Sequence, residues 1–429
     1  MHLDTQETLV EDLTLGMYVS RLDVPWVQTP FPIQGFQITK DEELELLSHY
    51  CNKVYVDIKR SKVDVAAKLN ITSNAKPGKG EAQFDAATLR LMKEKARFKP
   101  RVTTYQALNK MKKEVKASAQ MYDKITTQMA DIYERIQNNG AFEIKEITVA
   151  SNAMVKSVIS NPDALAWLCR INTASEKLHQ QAVRSAIWAL IFARHLGLSE
   201  SDLHDLGTAL LLAPIGKTKI DSALLKNRSS ANEVQQFNEH VSLTLAETKQ
   251  MFSPNHQINY IIASYCERNN GTGYPRNLIG NKIPFLARVA GIADYYEQLI
   301  NPYSSDAAAM TPSEAISHLY NIRGNLFQLE LVESFIQAIG VYPTGSLVEL
   351  NDKSVAIVLE QPENAKLRPS VAILKDSADK LCNKPETINL AKEGVNLLIS
   401  KSLSSTSHDI DAKTIHQSIF GSSGWFSFS

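Results

Sequence analysis

The chain has 429 residues, 44% of them apolar and 21% charged, with 46 Lys and Arg balanced by 46 Asp and Glu. The length predicts two or three domains, and the zero net charge excludes nucleic-acid binding driven by overall charge, leaving only a local patch. The longest apolar run, residues 186–193, falls far short of the ~20 residues that span a bilayer. The first residues are acidic and carry no signal-peptide pattern. Cys51, Cys169, Cys266 and Cys382 form no CxxC pair. They read as thiols of a reducing cytoplasm rather than as a disulfide framework or a zinc knuckle.

In chain order, residues 1–72 predict a small α+β domain. "LTLGMYVSRLDVPW" has β-type content broken by Gly16 and Pro25, and "NKVYVDIKR" alternates as a strand does. Between them, "TKDEELELLSHYC" predicts a short helix with Thr39 as its cap and acidic residues in its first turn. Residues 73–140 predict a linker and a helical connector. The linker is "SNAKPGKGEAQ", helical patterning runs over about 104–138, and Gly140 offers a stop. Residues 93–116 carry nine Lys or Arg against two Glu. A phosphate- or membrane-facing patch competes there with a solvated helix or linker, and the sparse aromatic interleaving favours the latter.

Residues 141–340 predict a helical bundle. "EKLHQQAVRSAIWALIFARHLGL" sets Leu178, Ala182, Val183, Ala186, Ile187, Leu190 and Ile191 on one face, with Gly197 as a stop. Further helices are predicted at 202–213, 231–251, 256–268, 284–300, 312–322 and 328–339. No strand–helix alternation is present, which argues against a parallel α/β fold. Residues 341–378 switch to short β runs with turn signals, and residues 379–429 predict a C-terminal helix and a loose, Ser-rich tail. The fold class is thus mainly α, with a small α+β domain before the bundle and a β-rich segment after it.

The stretch "CERNNGTGYPRNLIGNKIPFLARVAGIADYYEQL" (266–299) resembles the signature of the HD-GYP family. The match includes Gly273-Tyr274-Pro275, Ile283-Pro284, Ala287-Arg288 and Ile292-Ala293-Asp294. It extends through "LHQQAVRSA", "LLLAPIGK", "FNEHVSL" and "VYPTGSLVEL", and the first 60 residues resemble the domain that often precedes HD-GYP. The resemblance implies an HD-type helical bundle of the kind that hydrolyses cyclic di-GMP at a two- or three-metal site. It also implies which residues stand at the ligand positions. His179, His240 and Asp294 match metal ligands. Ala213 and Pro214 stand where the family has its His-Asp pair, and Tyr265 and Cys266 where it has paired His. Ser175 replaces a Glu found in some members, and Asn270 replaces the Asp before the loop glycines.

The chemistry needs what has been replaced. Paired cations bind phosphate oxygens and lower the pKa of a bridging water. Ala213 and Pro214 offer no donor, a phenol such as that of Tyr265 is protonated up to pH ~10, and the single thiol of Cys266 does not rebuild a two-cation site. No intact catalytic set is therefore expected, and His179, His240 and Asp294 compete with their reading as ordinary hydrogen-bonded core residues. By resemblance Lys217, Arg268 and Arg288 are candidates for phosphate or nucleotide binding, Lys217 against the alternative of a solvated charge. The loop Gly271, Gly273, Tyr274 and Pro275 is the candidate partner surface for diguanylate cyclase-type domains.

The reading is a cytoplasmic signalling protein that binds cyclic di-GMP or such partners and no longer hydrolyses the nucleotide. No cofactor is expected, and no nucleic-acid partner or membrane span. A homodimer stays open. Two alternatives remain: a residual phosphodiesterase with two divalent metals, iron or manganese, on a remodelled site, and a metal-free structural interaction module.

Overall fold

The computed structural model describes residues 5–23, 36–58, 60–61, 63, 103, 105, 107–171, 177–253, 256–303, 308–362, 367–382, 384–404 and 419–420. Much of the basic 93–116 stretch, Ser175 and the "GWFSFS" tail lie outside them. The chain divides into two compact units, residues 1–101 and 102–429.

In the first unit, strands β1 (Thr5–Leu9), β2 (Tyr18–Leu22), β3 (Phe36–Gln37) and β4 (Lys53–Asp57) form an antiparallel sheet in the order β1-β4-β2-β3. The alternation of "KVYVD" buries Val54 and Val56 on one face. There they meet Met17, Val19, Phe36 and Leu47, the last from helix α1 (Asp41–Tyr50). Thr39 does not cap α1. The cap position is Lys40, and the Glu43 carboxylate reaches back to accept from the N–H groups of Thr39 and Lys40.

The second unit is helical. Its order is α2 (Met111–Gln137), α3 (Ile144–Ser160), α4 (Pro162–Ile171), α5 (Leu178–His195), α6 (Glu200–Leu212), α7 (Ser222–Lys226), α8 (Ala231–Asn238), α9 (His240–Thr248), α10 (Gln257–Ile262), α11 (Phe285–Ile300), α12 (Pro312–Ile322) and α13 (Leu329–Ile339). Helix α5 is central: it packs on α6, α11 and α13, and its apolar residues from Ala182 to Ala193 are buried. The connector helix α2 is built into this bundle through Glu114, which accepts from Asn109, Ser118, Ser157 and Ser160.

Two predicted helices are shorter than their patterning. Residues 231–251 split at Glu239, whose N–H bonds the Gln236 carbonyl in a tightened turn. Residues 256–268 stop at Ile262, because Gly273 folds back onto the following turn. A Cβ on Gly273 would lie 2.3 Å from Arg268 N.

Strands β5 (Leu347–Leu350), β6 (Val355–Glu360), β7 (Ser370–Lys375), β8 (Thr387–Asn389) and β9 (Ile399–Leu403) form a second antiparallel sheet, ordered β8-β7-β6-β5-β9. Residues 387–403 fall in the stretch 379–429, for which the sequence predicts a C-terminal helix and a loose tail. They are strands, because β5 and β7 leave open edges whose N–H and C=O groups β9 and β8 satisfy. Thr344 donates to Asp163 (2.8 Å), seating this sheet on α4.

Candidate functional site

Helix α6 ends at Leu212 with Ala213 at its C-cap, and Pro214 leads into a 3-10 turn, Ile215–Lys219. This turn presses onto α9. A Cβ on Gly216 would lie 2.0 Å from the His240 carbonyl oxygen, so only glycine fits. Gly216 N donates to Thr244 Oγ1 at 2.9 Å, and that hydroxyl lies 2.9 Å from the carbonyls of both Ala213 and His240. The result holds Lys217 only 6% exposed.

His240 is fully buried at the start of α9. Its Nδ1 lies 2.8 Å from the Phe237 carbonyl, which only accepts, so Nδ1 carries the proton. Nε2 is then an acceptor and takes the Tyr265 hydroxyl at 2.9 Å, with Cys266 Sγ at 3.9 Å. Burial, helped by the Lys217 charge, lowers the His240 pKa to about 3. Burial likewise raises Tyr265 and Tyr274 well above the usual phenol range and raises the Cys266 thiol. All three stay protonated and act as donors rather than anionic ligands.

His179 stands at the start of α5, half-buried, its ring edge-on to Tyr133 with centroids 6.4 Å apart. Burial, then Lys177, lowers its pKa to about 4. Asp294 on α11 accepts from Ser185 Oγ at 3.0 Å and from Gln298 Nε2 at 2.5 Å. One turn further, Glu297 accepts from Arg184 Nε (2.5 Å), Trp188 Nε1 (2.9 Å) and Asn301 (2.9 Å).

These residues do not fit the metal centre that the resemblance implies. A ligating imidazole donates Nδ1–H to a carbonyl and points Nε2 at the cation. His240 keeps the first half of that arrangement, but its Nε2 is taken by a neutral phenol. Both Asp294 oxygens are taken by side-chain donors. Among the described residues no three His, Cys, Asp or Glu side chains are arranged to hold a cation.

Lys217 opens instead onto a cavity of about 370 Å³. Lys226, Arg228, Gln181, Gln298 and Tyr303 also line it. Phe237 links the cavity to the histidine: its ring lies 4.9 Å from that of His240, 4.1 Å from the Arg228 guanidinium and 5.9 Å from Lys217 Nζ. Among the described residues no carboxylate lines this cavity, and Lys217 Nζ has no hydrogen-bond or ion-pair partner.

The three cations expected at phosphate are thus not brought together. Arg268 donates to the carbonyls of Tyr265 and Glu267 and stacks on Phe327 (5.0 Å). Arg288 donates to Asn281 and Gln328, and burial lowers its pKa to about 10. Neither lines the cavity. The residues that do, Lys226 and Arg228, follow closely on Lys217 in "GKTKIDSALLKNR". That basic run was the available signal.

The loop 271–279 is pinned from below. The buried Glu267 carboxylate accepts from Arg276 N (2.8 Å) and Leu278 N (2.9 Å), and Asn277 donates to Gly273 O (2.6 Å). Tyr274 faces inward, its ring 5.8 Å from that of His240, while Ile279 is 59% exposed.

Comparison with known proteins accounts for most of the chain. Residues 5–147 match a domain of unknown function (DUF3391), residues 170–330 an HD domain, and residues 347–409 a KOW domain associated with HD domains. The chain is 24% identical over 405 residues to the cyclic di-GMP phosphodiesterase PA4108 of Pseudomonas aeruginosa, covering 90% of this chain and 89% of that one. It is 32% identical over 155 residues to the cyclic di-GMP phosphodiesterase response regulator RpfG of Xanthomonas campestris, covering 34% of this chain and 39% of that one. It is 30% identical over 139 residues to 3'3'-cGAMP-specific phosphodiesterase 3 of Vibrio cholerae, 31% of this chain and 29% of that one. Residues 170–330 thus match an HD domain, set between the matches to DUF3391 and to a KOW domain associated with HD domains.

Proposed function

We propose that this chain binds a cyclic dinucleotide of the cyclic di-GMP class and does not hydrolyse it by the two-metal route. The observation that carries the reading is a cavity lined by Lys217, Lys226 and Arg228 and, among the described residues, by no carboxylate. A group of cations at one cavity attracts an anion, and a phosphodiester is the anion that relatives of this framework are named for. The absence of hydrolysis is supported by His240, whose two ring nitrogens are engaged by Phe237 and Tyr265.

Titration calorimetry of the full chain with cyclic di-GMP, in chelator, tests it. Binding is expected without metal. Lys217→Ala should weaken it about 10-fold to 100-fold, the range of one charge-assisted hydrogen bond. Absence of binding would remove the nucleotide reading. Turnover with manganese or iron, lost in His240→Ala, would replace it with a residual phosphodiesterase.

A second reading concerns the loop 271–279. It is held rigid by Glu267 and presents Ile279 to solvent, as suits a docking surface for a diguanylate cyclase-type domain. Ile279→Asp should then abolish co-elution with such a domain while nucleotide affinity is kept. Co-elution that survives the change would rule the loop out.

A further inference from the structure

The turn that presents Lys217 is held on another side by a second lysine. A 3-10 turn completes a revolution in about three residues, so side chains two apart diverge by about 120°. Lys217 lines the cavity, whereas Lys219 reaches the end of α2. There its ammonium donates to the Ile136 carbonyl and to Asn139 Oδ1, both at 2.6 Å, and Glu247 Oε1 on α9 lies 3.9 Å off. The Ile136 carbonyl is among those a helix leaves without an intrahelical partner at its C-terminus, where the macrodipole favours a cation. Asn139 sits in the left-handed region, at φ 57°, which asparagine tolerates better than most residues. Tyr133, one turn earlier on α2, donates its hydroxyl to the Leu211 carbonyl in the last turn of α6 at 3.0 Å. The end of α2 thus grips the chain on both sides of Ala213 and Pro214. Lys217 Nζ has no partner of its own among the described residues. Its place is therefore set by the backbone of its turn, and that backbone is fixed at Gly216 by Thr244 and at Lys219 by α2.

We infer that Lys219 is a positioning residue for the cavity: by anchoring the 215–219 turn to the end of α2, it holds the Lys217 ammonium where an anionic ligand meets it. The inference deepens the proposed function and rests on the cavity being the nucleotide site. A charge held in place binds more tightly than one that must be ordered at each encounter. A ligand on Lys217 and the anchor at Lys219 favour the same conformation of the turn, so each strengthens the other.

Calorimetry of the full chain with cyclic di-GMP, arranged as a double-mutant cycle, tests this. Lys219→Met is expected to weaken binding about threefold to tenfold. Asn139→Gly keeps the left-handed backbone, removes one acceptor, and should weaken binding less, in the same direction. In a Lys217→Ala background Lys219→Met should add nothing, because it acts through that ammonium. A merely structural role would lower affinity equally in both backgrounds. That result, or no loss from Lys219→Met, overturns the inference. A second readout needs no nucleotide: the rate at which acetic anhydride acylates Lys217 in the folded chain, followed by peptide mass spectrometry. Released from its anchor, the buried Lys217 should react several-fold faster in Lys219→Met. If the unaltered chain binds no nucleotide, the nucleotide reading fails, and this rate alone decides the positioning role: an unchanged rate overturns it. If binding stands while the cycle and the rate both ignore Lys219, the nucleotide reading survives and only the positioning role fails.

Discussion

Two polar regions adjoin α5. Toward α11, each charge meets its complement: Arg184 and Glu297, 2% and 0% exposed, form an ion pair that Trp188 and Asn301 complete. Toward α7 and α8, Lys217 is nearly as buried and faces open cavity with two further cations. The first region has its hydrogen bonds made by the fold. In the second, Arg228 donates to the Leu224 and Leu225 carbonyls, and Lys217 Nζ has no partner among the described residues.

Breaking each region separately sharpens the contrast. Arg184→Met, which strands a buried carboxylate, should cost about 3–5 kcal/mol in denaturant unfolding. Next comes acid. His240 titrates ordinarily at 6.5 and here at about 3, so between these values the unfolded chain binds the extra proton. Stability is complete above pH 6.5 and is lost as pH falls toward 3. The loss between pH 7 and pH 5 should be about 2 kcal/mol, and His240→Gln should flatten that part of the profile. Tyr265→Phe leaves His240 Nε2 without its phenol but with the Cys266 thiol at 3.9 Å. It should cost about 1 kcal/mol, the low end for an unmet buried acceptor. Smallest is Lys217→Met, which removes an unpaired charge. It should leave stability unchanged or raise it by up to about 1 kcal/mol, while nucleotide affinity falls. A large loss of stability in Lys217→Met would erase the distinction between the two regions.

How far the site could be read from the sequence varies residue by residue. The resemblance to a known signature singled out Lys217, His240, Tyr265 and Asp294, and the fold joins His240 to Tyr265 by a hydrogen bond and to Lys217 through Phe237. Arg268 and Arg288 do not line the Lys217 cavity, and each guanidinium donates to carbonyl or amide oxygens elsewhere. Gln181 and Gln298 could not be singled out, since a glutamine on a helix face is ordinarily solvated.

By itself the sequence determined the elements whose causes are local. The apolar stripe of α5 and the Thr311-Pro312-Ser313-Glu314 start of α12, with its reciprocal cap, are examples. The alternation of β4 and the loss of donors at Ala213 and Pro214 are others. Tertiary structure alone decided what depends on distant partners. The split at Glu239 follows from packing against the 215–219 turn, and strands β8 and β9 form because neighbouring edges need pairing. The proton on His240 Nδ1 and the orientation of Gln298 are each set by an acceptor brought into place by the fold. A residue's type fixes which bonds it can make, and only the folded chain fixes which partner reaches it first.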